Sequence, residues 1–210
     1  MNTLTHPGAL PEVDFSPDSD HGPSPSSVTV LINLEQAGIL TPAALNLLRI
    51  CSFFHPTGVP MELAQAALDL LGDKPGHAFR PALELPTELT RLARLALVRL
   101  NLPDGTFCVH RLTQEAVRQS MSCEGQRYWR TRAVAVLARS FPTVCPRHWL
   151  VIERLLPHAL GVLRASRGCA SETRQALLRK TGFYLIERGR YAEALALGYD
   201  QVHDDLANNC

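Results

Sequence analysis

Pro103-Asp104-Gly105 stands between two short runs in which apolar and polar residues alternate, Val98, Leu100 and Leu102 before it and Phe107 and Val109 after it. A period of two marks a half-buried strand, and a Pro-Asp-Gly turn between two such runs closes a β-hairpin. A helical pattern starts at once from Arg111. Whatever this chain folds into must therefore seat one hairpin in a sequence that otherwise reads as helix.

Upstream of the hairpin, Thr41-Pro42 supplies a capping hydroxyl and a first helical residue with its φ already set. Ala44, Leu45, Leu47, Leu48, Cys51 and Phe54 then form a broad apolar face that ends at His55-Pro56. A second helix is expected from Met61 to Leu71, stopped by Gly72, and a third after Pro86, with Leu89, Leu92, Ala93 and Ala96 at helical spacing. Val28, Val30 and Ile32 alternate in a way that suits a short strand or a linker edge. Three helices, a hairpin and a closing helix make a winged helix, expected over residues 28–122 with Leu48, Phe54, Leu92 and Val109 in its core.

Downstream the pattern is helical throughout: Gly125 to Ser140 and Arg147 to Arg164 within a helical linker at 123–170, then Glu172 to Arg188 and Tyr191 to Leu206 within 171–210. Gly182, Leu185, Gly189, Tyr191 and Ala194 are spaced like the small and aromatic positions of one tetratricopeptide repeat, where small residues let two antiparallel helices approach closely. The fold class expected is mainly α: a winged-helix domain with one β-hairpin, a helical linker and the start of a tetratricopeptide array.

Composition limits what surrounds this core. Residues 1–27 hold five prolines and almost no large apolar side chains, so a disordered leader is expected there. The net charge of +1 hides an asymmetry, because no Lys or Arg precedes Arg49 while five acidic residues do, leaving the remainder at +6. Six cysteines without a Cys-x-x-Cys pair argue against a zinc or disulfide framework. The start lacks a signal-peptide pattern and no apolar stretch is long enough to span a membrane, so a reduced, cytoplasmic protein is expected.

Five blocks, ALNLLRICSFFHPTGVPMEL, LVRLNLPDGTFCVHRLTQEAVR, YWRTRAVAVLARSFP, WLVIERLLPHAL and LLRKTGFYLIERGRYAEAL, follow one another as in bacterial signalling ATPases of the NB-ARC (STAND) class that end in tetratricopeptide repeats. The chain resembles the middle of that family from about Val28 onward. The resemblance implies a region that transmits nucleotide state to ligand-sensing repeats, and it aligns Val109-His110-Arg111 with a motif whose histidine contacts the ADP phosphates. His110 and Arg111 are thus nucleotide-sensing candidates if an ATPase partner is present, with Arg111 in place of the motif's aspartate. There is no G-x-x-x-x-G-K-[ST] loop to cradle phosphates, and the repeat array stops after one unit. A truncated relative, a split gene product or a decayed copy is expected.

On the residues alone, His110 caps or buttresses the corner between strand and helix. Arg91, Arg94 and Arg99 lie on or after the third helix, where a DNA-binding winged helix places its reading side chains, but that helix is dominated by Leu and Ala and arginines at this spacing usually form a solvated face. His148 and His158 have no carboxylate or thiol to complete a metal set. No G-x-S-x-G elbow is present, and Cys108 beside His110 reads as core and corner rather than a nucleophile pair. Trp129, Phe141 and Trp149 are expected to join the winged helix to the linker.

The expectation is a non-catalytic regulatory and scaffold fragment without cofactor, metal or small-molecule substrate. It would engage a protein partner or itself through the terminal helices, where Leu195, Leu197, Tyr199 and Val202 supply apolar surface and Leu195, Tyr199 and Val202 are the interaction candidates. The alternatives are a winged-helix DNA-binding protein and a partner in trans of a separately encoded ATPase.

Overall fold

The computed structural model describes residue 29 and residues 33–72, 81–169 and 171–198. The expected leader at 1–27, the alternating Val28, Val30 and Ile32, and the interaction candidates Tyr199 and Val202 lie outside these residues. Residues 33–36 are helical, so the strand reading does not extend to Leu34.

Helix α1 spans Pro42–Cys51, and the Thr41 hydroxyl accepts from the Ala44 N–H at 3.1 Å while Pro42 occupies the first turn. Strand β1, Val59–Pro60, runs straight into α2, Met61–Gly72. Helix α3 spans Pro81–Arg94 and so begins five residues before Pro86, which lies inside it and not ahead of it as the sequence pattern suggests. Strands β2, Arg99–Asn101, and β3, Thr106–Cys108, form the expected hairpin. Gly105 takes φ +60° at its tip, a conformation open to glycine without strain, and Asn101 donates to Asp104 at 2.6 Å across the turn.

The hairpin does not stand alone. β1 pairs antiparallel with β3 in the register Val59↔Phe107 and Pro60↔Thr106, giving a three-stranded sheet in the order β1-β3-β2. The single hairpin of the sequence reading is therefore corrected to a small sheet. Pro60 fits because an edge strand can forgo one donor.

Helix α4, Arg111–Gln119, buries Gln114, Ala116 and Val117. The Gln114 amide donates to the carbonyls of Cys51 at 2.9 Å and Phe54 at 3.0 Å, which satisfies the open C-terminal end of α1 from a position sixty residues away. Arg118 adds a donor to the Ser52 carbonyl. Helix α5, Cys123–Ser140, packs on α1 and α2 and carries the buried Trp129, Ala133, Val134, Val136 and Leu137. A 3-10 turn at Pro146–His148 leads into α6, Trp149–Ala165, and α7 spans Glu172–Glu187 from a Ser171 cap; residues 191–198 are helical.

Leu48, Phe54, Leu92 and Val109 are buried, as are Trp129 and Phe141, and Trp149 is half-buried. The buried apolar residues form one continuous cluster from Leu40 to Leu197, so the core passes without a break from the sheet-bearing part into α5, α6 and α7. The protein is mainly helical with a small antiparallel sheet. Among the described residues no helix is long and apolar enough to cross a membrane.

Candidate functional site

The terminal helices leave four large apolar side chains in solvent. Phe183 and Ile186 lie one turn apart on α7 and are each 52% exposed, and Tyr191 and Leu195 lie one turn apart on the following helix at 67% and 61%. Gly189, at φ +69°, turns the chain between them. The opposite faces of the pair are committed to the core: Leu177, Thr181, Tyr184 and Leu185 of α7 are buried, and Leu197 is 6% exposed. Leu197 is thus a core residue and not part of the outer apolar surface to which its sequence neighbours suggest it belongs. Leu195 is outside, Tyr199 and Val202 lie beyond the described residues, and the sequence reading missed Phe183 and Ile186. Their i, i+3 spacing opposite the buried stripe is the signal that finds them.

Glu153 of α6 holds this pair in place. It accepts from the Tyr184 hydroxyl at 2.6 Å and from Arg190 at 3.3 Å, with Arg188 at 3.7 Å, while the Arg188 guanidinium lies 4.5 Å above the Trp149 ring. Burial, then the carboxylate beside it, pushes the Tyr184 phenol up to about 12. Arg190 also grips Glu193 at 2.7 and 2.8 Å, and that hydrogen bond holds the Glu193 carboxyl below its ordinary range. These exposed side chains are mounted on a fixed base.

His110 sits at the corner between β3 and α4, exposed, with Nδ1 accepting from the Leu112 N–H at 3.2 Å; it is the N-cap of α4, and Arg111 beside it is exposed. Arg91, Arg94 and Arg99 are also exposed, and the Arg91 Nε lies 3.7 Å from the buried Glu88, whose carboxylate accepts from Thr41 at 2.5 Å. A shallow cavity of about 560 Å³ opens along α3 between Ile39, Thr87, Arg91 and Arg94.

A family model described as a domain of unknown function, DUF7779, matches residues 36–126. That stretch runs from ahead of α1 into the first turn of α5, less than half of the chain, and holds the whole sheet and the His110 corner but not the exposed apolar side chains of the terminal helices. No curated protein and no solved structure matches the chain.

His148 and His158 are not brought together. His158 is buried in α6, where its Nε2–H donates to the Gly58 carbonyl at 3.1 Å across a hundred residues, and its ring stands edge-on to Phe54 and His55. Its Nδ1 is buried without a partner, and loss of water holds the imidazole down to about 4. Gly161, one turn further on, lies so close to the Phe53–His55 backbone that an added Cβ would sit 3.6 Å from the His55 nitrogen. His148 instead meets Cys145: Nδ1 is 3.2 Å from Sγ and 2.8 Å from the Thr143 carbonyl oxygen. Among the described residues no group of three or more His, Cys, Asp or Glu is placed to hold a metal.

Proposed function

We propose that the chain is a non-catalytic regulatory and scaffold module that binds a protein, a second copy of itself included, through the helices at residues 171–198. One observation carries this reading: four large apolar side chains, Phe183, Ile186, Tyr191 and Leu195, stand in solvent on two successive helices whose other faces are locked into the core. Large apolar side chains left in solvent in such number on one pair of helices are a reason to look for an interaction surface there.

Within this reading, the element order α1-β1-α2-α3-β2-β3 and the strand order β1-β3-β2 support a winged helix, and α5 and α6 are the linker. The turn at Gly189 and the core-packed Ala194 support a tetratricopeptide-like pair from α7 onward, although a Cβ at Gly182 would meet nothing within 4 Å and that glycine marks no close helix approach. On the NB-ARC resemblance, His110 would face nucleotide only with an ATPase supplied in trans, since a single imidazole cannot replace a cradle of backbone amides.

Light scattering on the full chain and on Phe183→Glu and Leu195→Glu tests the surface. A concentration-dependent mass that both substitutions abolish supports self-binding. A protein that stays strictly monomeric over the whole concentration range, with the same mass before and after both substitutions, would refute self-binding.

A second reading, winged-helix DNA binding, is favoured by the exposure of Arg91, Arg94 and Arg99 along α3 and β2. A salt-sensitive duplex complex lost on Arg91→Ala and Arg94→Ala would replace the first reading with this one.

A further inference from the structure

The outer face of α3 lines the cavity of about 560 Å³, a volume within the roughly 300 to 1,000 Å³ typical of ligand sites. Thr87, Arg91 and Arg94 recur there at helical spacing, Leu95 follows just past the helix end, and Ile39 closes the far side from the turn ahead of α1. Ile39 is 43% exposed and Leu95 is half-buried, so the cavity keeps apolar surface in contact with solvent. Its charge is cationic. Arg91 lies 3.7 Å from the buried Glu88, which also accepts from Thr41, whereas Arg94 makes no ion pair among the described residues. The Thr90 hydroxyl is committed to its own helix, donating to the Pro86 carbonyl at 2.7 Å.

An arginine without a counter-charge beside open apolar surface suits a chain segment that carries large apolar side chains between carboxylates. A phosphate backbone would answer the arginine and leave Ile39 and Leu95 without a partner. Residues 9–20, outside the described residues, have the required mixture: Glu12, Asp14, Asp18 and Asp20 with Leu10, Val13 and Phe15, and no Lys or Arg. Residues 199–206 carry a similar mixture, but they follow helices that pack on α5 and α6, whereas α3 packs on α1, α2 and β2. The tether favours the earlier segment. Eighteen residues join Phe15 to Asn33, an r.m.s. span of roughly 21 to 25 Å for a flexible chain. Ile39 comes six residues after Asn33 and is thus at most about 23 Å from it. A tether matched to its span in this way holds a segment near its site at an effective concentration of about millimolar.

We propose that residues 9–20 of this chain dock on the outer face of α3, with the carboxylates of Glu12 and Asp14 toward Arg94 and Phe15 against Ile39 and Leu95. Docked there, the segment covers the arginines on which the DNA-binding reading depends, so the segment and a duplex compete for α3. The docking stands whether or not residues 171–198 bind a protein.

The full chain is treated with chymotrypsin, which cuts after Phe15, and the rate is divided by that for a free peptide of residues 8–22 under the same conditions. In the unaltered protein at low salt the cut should be about fivefold slower than in the peptide. Arg94→Glu should bring the two rates together, as should high salt, and adding Glu12→Arg and Asp14→Arg to Arg94→Glu should restore the protection. Glu12→Lys with Asp14→Lys, set against a peptide carrying the same changes, should also abolish it. That variant leaves α3 untouched and decides alone if Arg94→Glu fails to fold. A cut in the unaltered protein as fast as in the peptide overturns the proposal, and duplex binding lost on Arg94→Glu would then assign the cavity to nucleic acid. Protection that survives both charge reversals overturns it as well. So does protection that grows with protein concentration, which places the segment on a second copy.

Discussion

Acidification should loosen the grip of α6 on the turn that precedes β1, and His158 sets the size of the effect. Its imidazole is held down to about 4 in the folded protein, chiefly by burial, with His55 adding a smaller push in the same direction against the Gly58 hydrogen bond. In the unfolded chain it titrates near its ordinary value of 6.5. Between those values the unfolded chain binds a proton that the folded protein refuses. His158 therefore contributes its full stability above the unfolded value, and the contribution is lost as pH falls toward the folded one. The span corresponds to about 3 kcal/mol. Urea unfolding followed by the fluorescence of Trp129 and Trp149 measures it, but Glu115 and Glu193, both held low by arginines, also weaken the fold in acid. A His158→Leu protein separates the effects. It loses the hydrogen bond to Gly58, at a cost of about 1 to 3 kcal/mol at neutral pH, and it has no proton to gain at this site. The stability difference between the unaltered protein and His158→Leu should shrink, and then reverse, from pH 7 to pH 4. A difference that stays constant across that range would refute the assignment of a neutral, buried His158.

Leu48→Ala and Leu92→Ala, both at fully packed positions, should each cost about 2 to 5 kcal/mol in urea unfolding. Gln114→Leu removes the side-chain donor shared by the Cys51 and Phe54 carbonyls, leaving Cys51 only the Phe54 N–H, and should cost about 1 to 3 kcal/mol, measured in the same way. Arg94→Ala, at an exposed position, should change stability by less than about 0.5 kcal/mol. Titration calorimetry with ADP or ATP should show no micromolar binding, because the chain has no glycine-rich phosphate loop; micromolar heat would restore His110 as a nucleotide contact.

The helices and the hairpin could be read from the sequence because local residues specify them: Thr41-Pro42 starts α1 and Pro103-Asp104-Gly105 closes β2 onto β3. Strand β1 could not, since two residues ending in proline carry no strand signal of their own and pair only because β3 offers a free edge. The start of α3 was hidden for a similar reason, as Pro86 reads as a boundary and instead lies inside the helix. Gln114 and His158 find their partners sixty and a hundred residues away, a relation that no local pattern encodes. The exposed apolar set was half legible: Leu195 could be placed on the final helix, but Leu197 two residues on points into the core, and the faces of α7 separate only once its packing against α5 and α6 is known. Cys145 and His148 are three apart around a proline, a spacing that a search for adjacent Cys and His passes over.

The unbroken core also has a consequence in time. Translation delivers α1 to α4 first, yet the apolar surfaces of α1 and α2 are covered by α5, and β1 is braced by α6. At the usual pace of synthesis, the stretch from the end of α4 to the end of α6 takes roughly 2 to 9 seconds to emerge. For that interval the nascent chain carries an uncovered apolar face that includes Phe53, over whose ring Arg130 of α5 comes to lie, so a ribosome-bound holdase has something to hold until α6 arrives.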